Sequence, residues 1–337
     1  MSLPRLNIQP ARLPLKKPVL VVVVDTEEEF DWSKPFDRNS RGTASVPAQD
    51  RAHAVFDRYG IVPTYVMNHP VATSPAAVRY FRGLVDQGRA HFGTHCHPWV
   101  TPPHDETVSL LNSFHGNLPP ELEAAKIEAT TDAIAQAFGS SPRIFKAGRY
   151  GVGPHTFEVI KRLGYTVDCS FVPCTSYAAE GGPNFHGSPS APFFTDEQHS
   201  LLEVPLTNGC SGALAAVGEH IPSVFDGTLA RAFRLPAMLS RTGLLERSRL
   251  SPEGFDAASQ TRLLDAQVRQ GVKVFTLSYH SPSLEPGYTP YVRNAADLSL
   301  FLDRLDQVFR HFQDRLGGEF STLADIERLA RHPVVPA

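Results

Sequence analysis

Apolar residues along the chain recur with two different periods, and segments of the two kinds alternate. Positions 18–25 (PVLVVVVD) form a continuous β-branched run, too short for a helix and apolar on both faces, as in a strand buried within a parallel sheet. Shorter runs predict further strands at 61–67, 89–95, 143–147, 165–171, 200–204 and 273–279, about seven in all. Helical periodicity fills most of the gaps, at 49–58, 75–87, 120–138, 154–163, 255–270 and 294–315, several of these opened by proline and closed near glycine. In the last, Leu298, Phe301, Leu302, Leu305, Val308, Phe309 and Phe312 recur at three- and four-residue steps and so form one apolar stripe. Alternating strands and helices predict a parallel α/β sheet covered by helices, here a barrel of about seven strands. Residues 1–17 read as an N-terminal arm, 18–315 as the barrel domain, and 316–337 as a C-terminal helix and tail. Within the barrel, 174–251 is rich in Gly, Pro and Ser and breaks the rhythm, so it reads as long loops or an insertion on one face.

The composition changes this picture little. Of 337 residues, 42% are hydrophobic and 20% charged, as in ordinary globular proteins. A net charge of -3 leaves no basic field for nucleic acid. No apolar run approaches the ~20 residues of a membrane span. The first 17 residues carry Arg5, Arg12, Lys16 and Lys17 but are broken by Pro4, Pro10 and Pro14, with no apolar stretch before a small-residue cleavage site, so the expected location is cytoplasmic. Cys96, Cys169, Cys174 and Cys210 form no CxxC pair and are expected to be reduced thiols.

In parallel α/β barrels the active site forms at the carboxyl ends of the strands, so titratable residues that follow apolar runs are the candidates. Asp25 and Glu27 follow the first strand, His95 and His97 the third, Arg149 the fourth, and His280 the last, while Asp168 lies within 165–171. His95 and His97, at i and i+2 in extended chain, point to the same side and can meet one metal, with a third ligand from Asp25 or Glu27. His104, further along that loop, is a spare ligand. Some acids among Asp25, Glu27, Glu28, Glu29 and Asp31 belong to a solvated loop. Asp25, however, ends six aliphatic residues, where a charge is costly unless a metal or cation compensates it. A second acid beside a metal can take a proton from its water. Arg149 can keep that acid ionised, and His280, oriented by Asp168, can protonate a leaving group. Trp32, Trp99, Phe114, Tyr150, Tyr288 and Tyr291 are loop aromatics able to stack on sugar rings, with Trp99, Tyr150 and Trp32 the candidates for substrate binding.

The ordered motifs VDTEEEFDW, THCHPWVTPP, FKAGRYG and YHSPSLEPGYTPY resemble those of the polysaccharide deacetylases of the NodB-homology type, the family 4 carbohydrate esterases, in the branch met among bacterial surface-polysaccharide genes. The resemblance runs from about residue 18 to 315. It implies a distorted (β/α)7 barrel holding one divalent metal, usually zinc, that hydrolyses the N-acetyl group of an amino sugar. It also implies roles: Asp25 as catalytic base, His95 and His97 as metal ligands, Arg149 as the partner of the base, and His280 as general acid supported by Asp168. Three features depart from the family's pattern. Thr26 separates two acids that are usually adjacent, leaving Glu27 or Asp25 as the acid ligand, with Glu27 preferred. The histidines stand two apart rather than four, with Trp99 at the usual second position. Lys146 stands where arginine is frequent, a role Arg149 can take over.

The reading is therefore a metal-dependent hydrolase of an N-acyl amino sugar or glycan precursor. Its alternatives are a metal-independent amidohydrolase of linear or cyclic non-peptide C–N bonds, which the shortened histidine spacing favours, and an inactive carbohydrate-binding relative. A carbohydrate partner, no nucleic acid, no membrane span and possible oligomers complete the expectation.

Overall fold

The computed structural model describes residues 1–215, 225 and 235–332. Parts of the predicted insertion (216–224 and 226–234) and of the predicted tail (333–337) lie outside the described residues. The strands are β1 (Gln9–Pro10), β2 (Val19–Thr26), β3 (Thr64–Met67), β4 (His91–Cys96), β5 (Ile144–Ala147), β6 (Val167–Asp168), β7 (Phe193–Phe194), β8 (Leu202–Glu203), β9 (Asn208–Ser211), β10 (Glu246–Arg249), β11 (Val274–His280) and β12 (Glu319–Phe320). The helices are α1 (Gln49–Tyr59), α2 (His69–Thr73), α3 (Pro75–Asp86), α4 (Pro120–Phe138), α5 (Thr156–Arg162), α6 (Leu235–Arg241), α7 (Ala257–Arg269), α8 (Ala295–Arg310) and α9 (Leu323–Arg331).

Seven strands, β8, β6, β5, β4, β3, β2 and β11, lie side by side in that order and all run parallel. This is the expected distorted (β/α)7 arrangement. Its ladder is left open between β11 and β8. There the Thr207 N–H donates to the Thr276 carbonyl and the Ser278 N–H to the Leu250 carbonyl, both at 3.2 Å, so the chain after β8 and after β10 spans the gap. At the other edge, β7 and then β1 add antiparallel strands, while β12 pairs with the start of β2.

Side chains on a strand alternate between faces, and β2 shows both. Leu20, Val22 and Val24 join the layer under α1 and α8, with Phe56, Leu305, Phe309 and Phe312. Val19, Val21 and Val23 join the inner cluster with Val66, Ile144, Val167, Leu202 and Val274, which Leu323, Ile326 and Ala330 of α9 also enter. The helix ends follow local chemistry. The Asn294 side chain accepts the N–H groups of Ala296 and Asp297 to start α8, and Gly139, at φ 77°, ends α4. The predicted helix at 294–315 is α8 continued by a π turn over His311–Arg315.

The sequence reading missed β1, β7, β12, β9 and β10. The last two, NGCS and ERSR, form an antiparallel hairpin outside the main sheet and carry no apolar alternation, so nothing in their pattern marks a strand. The predicted strands at 165–171 and 200–204 are also reduced to two residues each. Cys96, Cys169, Cys174 and Cys210 are thiols rather than disulfides, and among the described residues no helix is long and apolar enough to cross a membrane.

The stripe on α8 makes a direct prediction. Phe309 is fully buried against Phe56, Tyr59 and Phe320, so F309A should lower unfolding free energy by about 3–5 kcal/mol in denaturant titrations. A loss well under 1 kcal/mol would refute this packing.

Candidate active site

The inward series of four strands ends in functional groups. Val19, Val21 and Val23 lead to Asp25, Gly93 to His95, Ile144 to Lys146, and Val274, Thr276 and Ser278 to His280, each functional group two residues beyond the last of its series on the same face. Their side chains surround the inner end of a cavity of about 410 Å³, whose lining includes Asp25, Glu27, His95, His97 and His280. Asp25 is buried, and the Lys146 ammonium donates to both its oxygens, at 2.5 Å to Oδ1. Burial pushes the Asp25 carboxyl up, but the charges of Lys146, His95 and His280 outweigh it and hold the group below the usual carboxylate range. The expected partner, Arg149, is not there. Its guanidinium pairs with Glu180 and Ser113 and lies 4.2 Å from the Phe114 ring centroid. Arg149 and Tyr150 have φ 50° and 58°, so the chain turns sharply after β5 and takes Arg149 to Glu180 in another part of the cavity lining, whereas Lys146 keeps the strand's inward direction to Asp25.

Glu27, His95 and His97 converge. Glu27 Oε2 lies 3.8 Å from His95 Nε2 and 3.4 Å from His97 Nε2, and the two Nε2 atoms are 3.1 Å apart. Ligands sharing one tetrahedral zinc at ~2.0–2.1 Å stand roughly 3.3 Å from one another, so this spacing suits a single cation. The outer nitrogens fix the tautomers. His95 Nδ1–H donates to the Lys146 carbonyl at 2.9 Å, and His97 Nδ1–H to Glu28 Oε2 at 2.9 Å, which turns both Nε2 lone pairs inward. Burial drives both imidazoles well below the ordinary histidine range and the Glu27 carboxyl well above its own. Among the described residues Glu27 Oε1, which is buried, has no hydrogen-bond partner. Two neutral imidazoles and an orphaned carboxyl oxygen facing one point fit a divalent cation. The two-residue histidine spacing is thus compatible with one metal, while His104 contacts Arg41 instead and is not in the cluster.

Glu28 is the residue the sequence reading left in the solvated loop. It is fully buried, and burial raises its carboxyl to about 8. It accepts from His97, from Asn68, and from the Trp99 indole N–H at 2.9 Å. Trp99 itself is buried and stacks on His97 with centroids 4.2 Å apart, so it lines the cavity chiefly as the wall that holds this histidine. The loop behind it is anchored by Lys126, whose ammonium donates to the carbonyls of Pro98, Thr101 and Pro103 and pairs with Glu106 at 2.8 Å. Gly148 completes the support. A Cβ there would lie 2.1 Å from the Cys96 carbonyl oxygen and 2.6 Å from His97 Cδ2.

On the opposite side, His280 Nε2 is 3.9 Å from Asp25 Oδ2, and its Nδ1–H donates to Glu253 Oε2 at 2.7 Å. Glu253 also accepts the His280 backbone N–H, at 3.0 Å. Asp168 does not orient His280. On β6 the inward residues are Val167 and Cys169, so Asp168 points to the outer face, beside Glu203 on β8, and accepts from Ser170 Oγ at 2.7 Å. Burial lowers the tendency of His280 to hold a proton, but Glu253, Glu27 and Asp25 outweigh it and raise its pKa to about 9.

Among the aromatic candidates, Trp32, Tyr150 and Tyr291 line the cavity, and Trp32 sits edge-on to His280 with centroids 5.1 Å apart. Phe114 stacks beneath Arg149, and Tyr288 borders a neighbouring groove.

Solved structures share this architecture. A Mycobacterium smegmatis protein described as a polysaccharide deacetylase aligns with a TM-score of 0.51 at 15% identity, covering 98% of this chain and 96% of its own. A Pseudomonas aeruginosa protein described likewise gives 0.54 at 14% identity over 95% and 92%. Puue allantoinase gives 0.56 at 13% identity over 98% and 96%. The chain thus has the fold of polysaccharide deacetylases, which the allantoinase shares. The sequence matches no protein-family model and no curated protein.

Two predictions test this geometry. Because the folded-state pKa of His280 is raised, the stabilisation from its charge is complete below the ordinary histidine value of 6.5 and fades as pH rises through about 9. In NMR titrations of metal-free protein the His280 ring should therefore titrate near 9 and shift downward in E253Q. An unchanged midpoint would remove Glu253 from the pairing. G148A should cost roughly 1–3 kcal/mol in thermal or denaturant unfolding through overpacking against His97; a variant as stable as the parent would contradict the contact.

Proposed function

We propose that the chain is a metal-dependent hydrolase that removes an N-acetyl or similar N-acyl group from an amino sugar or glycan precursor. The observation that carries this is the Glu27–His95–His97 cluster sharing one cavity with an acid held by a lysine and a histidine held by a glutamate. Glu27 is the acid ligand, since the oxygens of Asp25 are engaged by Lys146. A divalent cation, zinc on this reading, supplies Lewis-acid activation of water and of the acyl oxygen when bound. Asp25, kept ionised by Lys146, accepts the proton of the attacking water. His280, kept charged by Glu253, donates a proton to the departing amine nitrogen. The two groups lie 3.9 Å apart, near enough to reach the oxygen and the nitrogen borne by one tetrahedral carbon. Trp99 and Phe36, stacked with centroids 4.3 Å apart, and Trp32, edge-on to His280, give the cavity aromatic walls suited to a sugar ring.

The test pairs metal analysis with acetate release from N-acetylglucosamine oligosaccharides. Purified protein should bind about one equivalent of zinc. H95A should lose the metal and the activity together. D25N should keep the metal and lose roughly 10²–10⁴-fold in kcat. Full activity after chelation, above all on a cyclic amide, would replace this reading with metal-independent amide hydrolysis. Sugar binding without turnover, indifferent to D25N, would make the chain a binding protein.

A further inference from the structure

The cations near the cavity are accounted for one by one. Lys146 has Asp25, Arg149 has Glu180, Lys126 has Glu106, and Lys34 has Asp31. Arg249, at the end of β10, is the exception. It is half-buried and lines the cavity, and among the described residues it makes no ion pair. Its guanidinium donates from Nη1 to the Tyr150 hydroxyl at 2.9 Å and from Nη2 to the Tyr177 hydroxyl at 3.0 Å. It also lies 5.2 Å from the Tyr150 ring centroid. Its Nε is buried without a partner.

Two neutral hydroxyls orient a guanidinium but do not balance its charge, and a desolvated cation without a counter-charge is costly. A guanidinium carries five N–H donors, so those not given to tyrosine remain for a ligand, in the planar fork that matches an oxyanion. The place is suited to such a ligand. Tyr150 has the Lys146 ammonium 4.8 Å and the Arg249 guanidinium 5.2 Å from its ring centroid. A single substituted sugar ring can bridge the distance from the Asp25–Lys146 pair to Arg249.

We propose that Arg249 binds an oxyanion substituent, a carboxylate or a phosphate, on the sugar whose N-acyl group is presented to Glu27, His95 and His97. The substrate class is then an acidic N-acyl amino sugar. This inference rests on the hydrolase reading above for the placement of the acyl group.

The experiment uses metal-loaded protein and three methyl glycosides: N-acetylglucosamine, N-acetylglucosaminuronic acid and N-acetylglucosamine 6-phosphate. Ligand-observed NMR reads binding and acetate release in the same sample. One acidic probe should bind roughly ten- to hundredfold better than the neutral one, and R249M should bring the ratio to within about threefold, with R249K intermediate. Which acidic probe is preferred identifies carboxylate or phosphate. Equal binding of all three probes, or a preference that survives in R249M of unchanged melting temperature, would overturn the proposal. If R249M does not fold, the same readings on R249K decide. Arg249-dependent binding of an acidic probe with no acetate released would uphold the anion site and reject the hydrolase reading. Deacetylation of the neutral probe as fast as the acidic ones would do the reverse.

Discussion

The site depends on the two-residue period of parallel strands. In a strand buried on both faces, alternate residues belong either to the helix layer or to the interior, and no intermediate direction exists. Asp25 and Lys146 each stand one step beyond the last aliphatic residue of an inward series, His95 one step beyond Gly93 and His280 one step beyond Ser278, where the interior gives way to the cavity. A one-residue slip in any of these strands would exchange the functional group for its outward neighbour: Val24, Thr94, Phe145 or Tyr279. Packing that fixes the register, such as Val19, Val21 and Val23 against α9, therefore also fixes the chemistry.

The second constraint is electrostatic. The cavity floor gathers more charge than a core tolerates, and the structure handles it pairwise: Asp25 with Lys146 and His280 with Glu253. Pairing costs desolvation, so it stabilises only where geometry and hydrogen bonds are complete. It does give each group a definite protonation state. Asp25 is held as an anion and His280 as a cation, two opposite states within one small volume. Glu27 and Arg249 remain outside these pairs, and both face the cavity.

Much of this was legible in the residues. The aliphatic run at 18–25, the helical stripe at 294–315 and the HxH motif lead directly to β2, α8 and two members of the cluster, because each has a strong local period or spacing. Asp168 was misassigned because periodicity shows which residues share a face but not which face is the interior; Val167 and Cys169 occupy the inward positions. Lys146 carried the same signal as Asp25, an inward step beyond Ile144, yet Arg149 was preferred in its place. Glu28 was hidden in an acidic run that resembles a solvated loop. Glu253 and Arg249 could not be found by pattern, since they come from a hairpin and loop without apolar alternation, positioned by tertiary contacts alone.

Glu27 and Glu28 are consecutive, yet they approach the same imidazole from its two nitrogens, at 3.4 and 2.9 Å. The ligand cluster and the brace of one of its members are thereby set on a single stretch of backbone. A substitution that shifts the backbone at 27–28 would therefore disturb a ligand and its neighbour's brace together, so the two cannot be altered independently.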